Sequence, residues 1–157
     1  MNYSQLLSAV ADFLNRQDLT AVIPTFVTFC EADINRKLRH RKMLARATAV
    51  LDEQYTSLPT DFLEAKNIQL NTDIPFSLKY ITLEHADLLR SGTYSSTGEP
   101  KYYTILGSSL ETVPTPDGEY TIELAYYQSF TALAEDDDTN WLLTSHPDVY
   151  VYGTLVH

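Results

Sequence analysis

The sequence predicts an α+β fold, in which an N-terminal helical hairpin and a C-terminal helix pack together and a central antiparallel β-sheet or small sandwich lies between them in the chain. Apolar residues recur at steps of three and four as far as Leu38, which is the period of a helix buried on one face. From Ala47 to Tyr127 the period changes to two, which is typical of strands. We expect a helical domain of residues 1–46 and 141–157, and a β region with one short helix of residues 47–140.

Two helices are predicted at the N-terminus. The first ends near Asn15, and the second runs from Pro24 to Arg46, because proline is tolerated in a first helical turn. At 1.5 Å per residue the second helix would span about 35 Å. The two apolar stripes consist of Tyr3, Leu6, Leu7, Val10, Phe13 and Leu14, and of Ile23, Phe26, Val27, Cys30, Ile34 and Leu38.

Short segments of alternating polarity, separated by Pro, Gly, Asn and Asp, predict the strands of the central region. A helix from Leu83 to Arg90 interrupts them, with Thr82 as its N-cap and Gly92 just beyond its end. We expect three antiparallel strands between Tyr102 and Tyr127. The candidate strands are ATAVLD, NIQL, FSLKYI, KYYTILG, SLETV and EYTIELAYY.

The C-terminal helix follows an acidic loop, AEDDDTNW. Ser145 is placed to cap it, Pro147 fits its first turn, and Asp148 stands where a capping box has its acid.

Charge is distributed unevenly along the chain. The formal net charge is -10, yet six basic residues lie within eleven positions that contain no acid. Setting aside this +6 leaves -16 on the remainder. Such separation indicates where partners attach. The six residues are Arg36, Lys37, Arg39, Arg41, Lys42 and Arg46.

Composition narrows the class of protein. Hydrophobic content of 44% and charged content of 20% are typical of globular domains. No apolar run approaches the length of a membrane-spanning helix, and the N-terminus lacks the basic start and cleavage site of a signal peptide, so we expect a soluble protein made in a cytoplasm. Cys30, the only cysteine, lies on an apolar helical stripe and is expected to be a buried hydrophobe.

The motifs offer little metal-binding or catalytic chemistry. An EF-hand pattern that starts at Asp136 has Trp141 in place of the required glycine and Pro147 in place of the required glutamate. The five glycines form no phosphate-binding loop. Paired carboxylates for glycoside chemistry stay open, but we expect no metal, no cofactor and no enzyme activity. The histidines lack the spacing of a zinc site; they are His40, His85, His146 and His157.

Three interpretations of the basic cluster stay open. It forms a solvated helical face that bridges to the protein's own acids, it contacts an acidic partner protein, or it grips nucleic acid. A dedicated DNA-binding protein is usually basic overall, whereas the pI of this sequence is near 4.6. Eleven tyrosines, six of them between Tyr94 and Tyr127, are expected to serve mainly in core packing, although tyrosine is also common at interfaces.

Three strings carry a recognisable series of turns and caps: YTSLPTDFLEAKNIQL, GEPKYYTILGSSLETVPTPDGEYTIELAYYQ and TNWLLTSHPDVYVYG. Their distinctive residues are Leu58, Pro59, Asp61 and Phe62; Gly98, Pro100 and Tyr102; Asn140, Trp141, Leu142 and Leu143; and Pro147, Asp148 and Tyr150. Together these strings resemble the head-to-tail adaptor proteins of tailed bacteriophages, which sit beneath the portal. The pattern of that family has a Leu-Pro-x-Asp-Phe turn, a Gly-x-Pro-x-Tyr start to the β meander, and an Asn-Trp-Leu-Leu loop before a Pro-Asp-x-Tyr helix.

The resemblance implies a structural protein of the virion, synthesised in the host bacterial cytoplasm, that assembles as a ring, usually a dodecamer, between the portal and the tail tube or nozzle. DNA would pass through the ring without specific binding, and no membrane partner is implied. The partner-binding candidates are Arg36, Lys37, Arg39, Arg41, Lys42, Arg46 and Trp141. The alternatives are a hydrolase or carbohydrate-binding β domain, and a nucleic-acid binding module that uses the basic helix.

Overall fold

The computed structural model describes residues 1–16, 18–92 and 97–156. They form two compact units, which we call the helical unit (Met1–Met43 with Ser129–His157) and the β unit (Leu44–Gln128). The predicted α+β fold class is confirmed. Tyr94 and His157, both named in the sequence analysis, lie outside the described residues. Within the described part of the chain, no helix combines the length and apolar character that crossing a bilayer requires.

The helices are α1 (Tyr3–Leu14), α2 (Ile23–Lys37), α3 (Leu83–Gly92), α4 (Trp141–Ser145) and α5 (Pro147–Val156). The strands are β1 (Leu44–Leu51), β2 (Tyr55–Ser57), β3 (Phe62–Asn71), β4 (Phe76–Ser77), β5 (Lys79–Tyr80), β6 (Tyr102–Leu106), β7 (Ser109–Val113) and β8 (Tyr120–Gln128).

The helical unit buries the apolar stripes of its helices against one another. α1 starts with a capping box in which Asn2 and Gln5 exchange hydrogen bonds of 3.0 and 3.1 Å, and it ends at Asn15 in the left-handed region, as predicted. α5 packs against both α1 and α2. The residues of this unit that are almost completely buried include Leu6, Val10, Ile23, Val27, Cys30, Met43, Leu143 and Tyr150.

The prediction for the second helix is wrong in length. α2 ends at Lys37 instead of Arg46, and a single 3-10 turn at residues 41–43 leads into β1. A longer helix would set the cations of residues 36–42 three and four positions apart, where like charges destabilise a helix. The Arg39 guanidinium instead donates to two main-chain carbonyls at the helix end, at 2.8 and 2.7 Å, and thereby supplies hydrogen bonds that the helix itself lacks.

The C-terminal pattern also differs in detail. The segment that starts at Trp141 is a short helix, α4, and Ser145 is its last residue instead of the N-cap of α5. Asn140 caps α4, because its Oδ1 accepts from two main-chain N–H groups of the first turn.

The β unit contains two four-stranded sheets, in the orders β1-β8-β3-β4 and β2-β7-β6-β5. All neighbouring strands are antiparallel except β5 and β6, which are parallel. Gly107, with φ of 61°, makes the two-residue turn between β6 and β7, a conformation that suits glycine. Both sheets contribute to one apolar core, which comprises Leu51, Ile68, Leu70, Leu78, Tyr103, Leu110, Ile122, Leu124 and Tyr126.

The strands from Tyr102 to Tyr127 exist as predicted, but they do not form one three-stranded meander. β7 pairs with β6 and β2, whereas β8 pairs with β1 and β3 in the other sheet. Pro114 follows β7 directly and has no N–H to donate, so the ladder stops there and the chain crosses to the second sheet. The predicted strand FSLKYI is likewise two short strands, β4 and β5, in different sheets.

α3 packs on β6 and β7 of the β unit. Its N-cap is Thr82, whose Oγ1 accepts from the His85 N–H at 3.4 Å as predicted, while Gly92 is its last residue instead of the residue beyond it. Arg90, in the last turn, forms an ion pair with Glu111 of β7, whose side chain is buried.

Candidate partner-binding surface

Trp141 is positioned by the cap of α4. Asn140 Oδ1 accepts from the N–H groups of Leu142 and Leu143 at 3.1 and 2.9 Å, and both leucine side chains are buried. Because this first turn is fixed, the half-buried Trp141 ring holds a defined place on the helical unit.

The chain between α2 and β1, which we call the basic turn (residues 38–43), packs on that ring. His40 stacks on Trp141 with ring centroids 5.1 Å apart and planes at 21°. The Lys42 Nζ lies 5.3 Å from the centre of the same ring, within the range of a cation-π interaction, and donates to Ser145 Oγ at 3.3 Å. The buried Met43 anchors the end of the turn. Lys42 and Trp141, predicted separately, are thus brought together.

A buried polar network stands behind this surface. Glu31 Oε1 accepts from the Leu133 N–H and from the Tyr150 hydroxyl, each at 3.1 Å, and the same hydroxyl accepts from Asn140 Nδ2 at 2.6 Å. Burial raises the pKa of the Glu31 carboxyl, and burial also raises the pKa of Tyr150 well above its ordinary range. The network ties α2 and α5 to the residue that caps α4.

The other predicted cations of the helical unit differ in their hydrogen-bond and ion-pair partners. Arg36 and Lys37 both donate to Asp33, at 3.4 and 2.8 Å, and the Lys37 hydrogen bond is the main reason that the pKa of Asp33 lies below its usual value. Arg39 donates hydrogen bonds to main-chain carbonyls at the end of α2. Arg41 is exposed and has no hydrogen-bond or ion-pair partner among the residues that the structure describes.

Arg46 does not belong to this surface. It lies on β1, in the β unit, and its guanidinium pairs with Glu123 of the neighbouring β8 at 2.5 Å. The sequence pattern placed Arg46 with the other cations because it predicted one continuous helix from Pro24 to Arg46. Of the three interpretations of the basic cluster, bridging to the protein's own acids therefore describes Arg36, Lys37 and Arg46, while Arg41 and Lys42 are exposed.

An apolar groove lies between α2 and α5. Its volume is about 310 Å³, and a second depression of about 230 Å³ continues it towards Lys37 and Leu38. Tyr152 on its rim is 60% exposed and makes an edge contact of 6.3 Å with the exposed Phe13 ring. The groove is lined by Cys30, Asp33, Ile34, Val149, Tyr152, Gly153 and Val156.

Sequence reasoning missed three members of this region. Glu31 lies four residues after Val27 on the buried stripe of α2, a spacing that signals an inward-facing acid. His40 was considered only as a metal ligand, and Ser145 only as a cap. In the described part of the chain no three His, Cys, Asp or Glu side chains come together as a metal site.

A family model described as SU10 adaptor protein matches the chain over residues 1–157. The chain belongs to the SU10 adaptor protein family. A search of curated proteins found no match. The family is one of phage head-to-tail adaptor proteins, so the resemblance that rested on three sequence strings is confirmed.

Membership of the SU10 adaptor protein family makes this chain a structural adaptor protein of a phage. For a SU10 adaptor protein, the side chains of interest are those on its surface. Tryptophan and arginine are enriched in protein–protein contacts, and this surface contains the half-buried Trp141 and the exposed Arg41.

Proposed function

We propose that this protein assembles with copies of itself into a closed ring that joins the portal to the tail tube or nozzle, and that DNA passes through the ring without specific binding. The proposal assigns no catalytic, metal-binding or cofactor role to any residue. The observation that carries it, beyond the family, is the surface formed by the basic turn, Trp141 and the α2–α5 groove on an otherwise acidic chain.

Charge supports the ring. In a cyclic assembly each copy meets its neighbours through two different surfaces, so a basic surface on an acidic protein can complement the next copy or the portal. The net charge of -10 per copy would give about twelve copies roughly -120 in total. Such a charge repels DNA phosphates over a Debye length of about 8 to 10 Å, which favours sliding over sticking.

The basic turn is the proposed docking element. Arg41 extends without an internal partner among the described residues, and Lys42 Nζ contacts the Trp141 ring and Ser145 Oγ. A cation whose side chain is already ordered loses less conformational entropy when it binds. The acidic partner surface belongs to the portal or to a neighbouring copy.

Mass photometry and negative-stain microscopy of the purified protein, alone and with purified portal protein, test the proposal. We expect rings or a stoichiometric complex with the portal. A strict monomer that ignores the portal would contradict it. Steep, salt-dependent binding to duplex DNA would favour the nucleic-acid interpretation instead.

Charge reversal locates the docking element. We expect Arg41→Glu combined with Lys42→Glu to abolish assembly or portal binding while the unfolding midpoint changes little. The matched control, Lys66→Glu with Lys79→Glu, makes the same change in net charge on the β unit and should leave assembly intact. Assembly that survives the first pair would remove the basic turn from the interface.

A further inference from the structure

β1 is one of the two edge strands of its sheet. Its eight residues, Leu44–Leu51, pair along their whole length with β8, and no second strand pairs with β1 in the described part of the chain. In an antiparallel pair, alternate residues direct their N–H and C=O groups away from the partner strand. The outer side of β1 therefore presents a row of main-chain donors and acceptors to whatever lies next to it.

This edge lacks the usual protection. Proteins shorten their edge strands, bulge them, or place proline or lysine on them. The other edge strands of the two sheets, β2, β4 and β5, have only three, two and two residues. β4 pairs with only the last part of β3, and the part of β3 that β4 does not cover contains register shifts. β1 is long, runs in continuous register, and carries neither proline nor lysine; its one charge, Arg46, is held by Glu123.

A cleft opens beside the edge. Its volume is about 210 Å³, which exceeds the roughly 150 Å³ of a cavity that accepts benzene. It exists because the half-buried positions of β1 are Ala45, Ala47 and Ala49, whose methyl groups leave Ile122 and Leu124 of the core within reach. Its lining consists of Ala47, Thr48, Ala49, Thr56, Ser57, Leu58, Pro59, Ile122 and Leu124.

We propose that the outer edge of β1 and this cleft bind an extended segment of another polypeptide, which adds to the sheet as a further strand and inserts an apolar side chain into the cleft. Strand addition takes its affinity from main-chain hydrogen bonds and its specificity from side-chain pockets, and both features are present here. The bound segment carries apolar residues at alternate positions on its cleft side.

A second copy of β1 is a poorer occupant. Two β1 strands paired around a two-fold axis would bring only Ala45, Ala47 and Ala49 of the partner to the cleft side, so the cleft would stay empty. The remaining edge strands of the chain are too short or too irregular to match β1. The inference does not depend on the ring, because it concerns an edge within the β unit of each copy.

Hydrogen exchange at the β1 amides of the full chain tests this. The probe is a synthetic nine-residue peptide of alternating threonine and leucine with added terminal lysines. Its controls are two versions N-methylated at either set of alternate amides, which cannot donate from that side. When free peptide is about ten times Kd, exchange at alternate β1 amides should slow roughly tenfold. One of the two N-methylated versions should lose this effect.

Two variants locate the site. Ala47→Leu with Ala49→Leu fills the cleft from within and should weaken peptide binding at least tenfold, whereas Ala45→Leu, on the same face but outside the cleft lining, should not. Thr48→Lys places a charge on the edge of β1 and should also abolish peptide binding. This test holds even if the variant with two leucines does not fold.

Failure to protect β1 at about 1 mM peptide, or equal binding of all three peptides, would overturn the proposal. Protection of β1 in the free protein that disappears on dilution and in the Thr48→Lys variant would overturn it in favour of a second copy as the occupant.

Discussion

Single side chains determine how closely α2 and α5 pack in the helical unit. Gly153 of α5 lies against Cys30 of α2, and a Cβ placed on the glycine would stand 2.5 Å from the Cys30 Sγ. The close approach of α2 and α5, which also shapes the floor of the groove, therefore depends on the absence of a side chain at one position.

Gly153→Ala should destabilise the protein by about 1 to 3 kcal/mol, because overpacking costs more than the helix propensity that alanine gains. Urea unfolding measures the change. Combining it with Cys30→Ala should recover much of the loss, and Gly118→Ala, where a Cβ meets nothing within 4 Å, is the control expected to stay near wild type. A stable single variant would mean that the helices separate at little cost.

Glu31 predicts a pH dependence. Burial raises its pKa, so the folded state holds this proton to higher pH than the unfolded chain, whose glutamates titrate near pH 4.3. The stabilisation that results from the raised pKa of Glu31 is complete below the pKa of the unfolded chain, and it is lost as pH rises through the pKa of the folded state. Glu31→Gln, which keeps the Oε1 acceptor without the charge, should gain stability relative to wild type as pH rises from about 4 to 8.

Unfolding curves of wild type and Glu31→Gln at a series of pH values check this, and parallel curves would show that the carboxyl titrates as in the unfolded chain. Glu31→Leu should cost about 1 to 3 kcal/mol for each of the two donors, the Leu133 N–H and the Tyr150 hydroxyl, that lose their acceptor.

At the scale of elements, α3 is tied to the β unit by the ion pair of Arg90 and Glu111. The Glu111 carboxylate also accepts from Gln54 Nε2 at 3.1 Å, and Arg90 donates to the Thr112 carbonyl at 3.0 Å. The glutamate is nearly inaccessible to water, so its charge depends on these partners.

Arg90→Met should destabilise the β unit by about 3 to 5 kcal/mol, because it leaves a buried charge without its counterion. Thermal unfolding followed by circular dichroism measures the loss. The exposed pair Arg16–Asp18 provides the control, since Arg16→Met should leave the unfolding midpoint nearly unchanged. Equal effects at the two sites would mean that the Glu111 carboxylate finds other partners.

For the whole molecule, the β unit has the organisation of an inserted domain. Leu44, at its start, pairs directly with Tyr127, near its end, so the chain enters and leaves on neighbouring strands. Among the described residues, its apolar core consists of side chains of the β unit itself.

The isolated segment Leu44–Gln128 should therefore fold by itself and unfold cooperatively in urea with a β-type far-ultraviolet spectrum, because cores of this size support independent domains. Ile68→Asp in the same segment, which places a charge in the core, should abolish the transition. A segment that is unstructured before any substitution would show that the β unit needs the rest of the chain.

The amino-acid sequence by itself determined the two periodicities, the C-terminal end of α1, the cap at Thr82 and the family, because these depend on residues close together in the chain. It also marked Trp141 and Lys42 as candidates. Only the tertiary structure decided where α2 ends, which sheet receives β8, and that the basic turn stacks on Trp141. Those outcomes depend on pairing, burial and repulsion between residues distant in sequence, and a local pattern carries no record of a distant partner. The same reason hid the network of Glu31, whose two donors, the Leu133 N–H and the Tyr150 hydroxyl, come from separate segments of the helical unit.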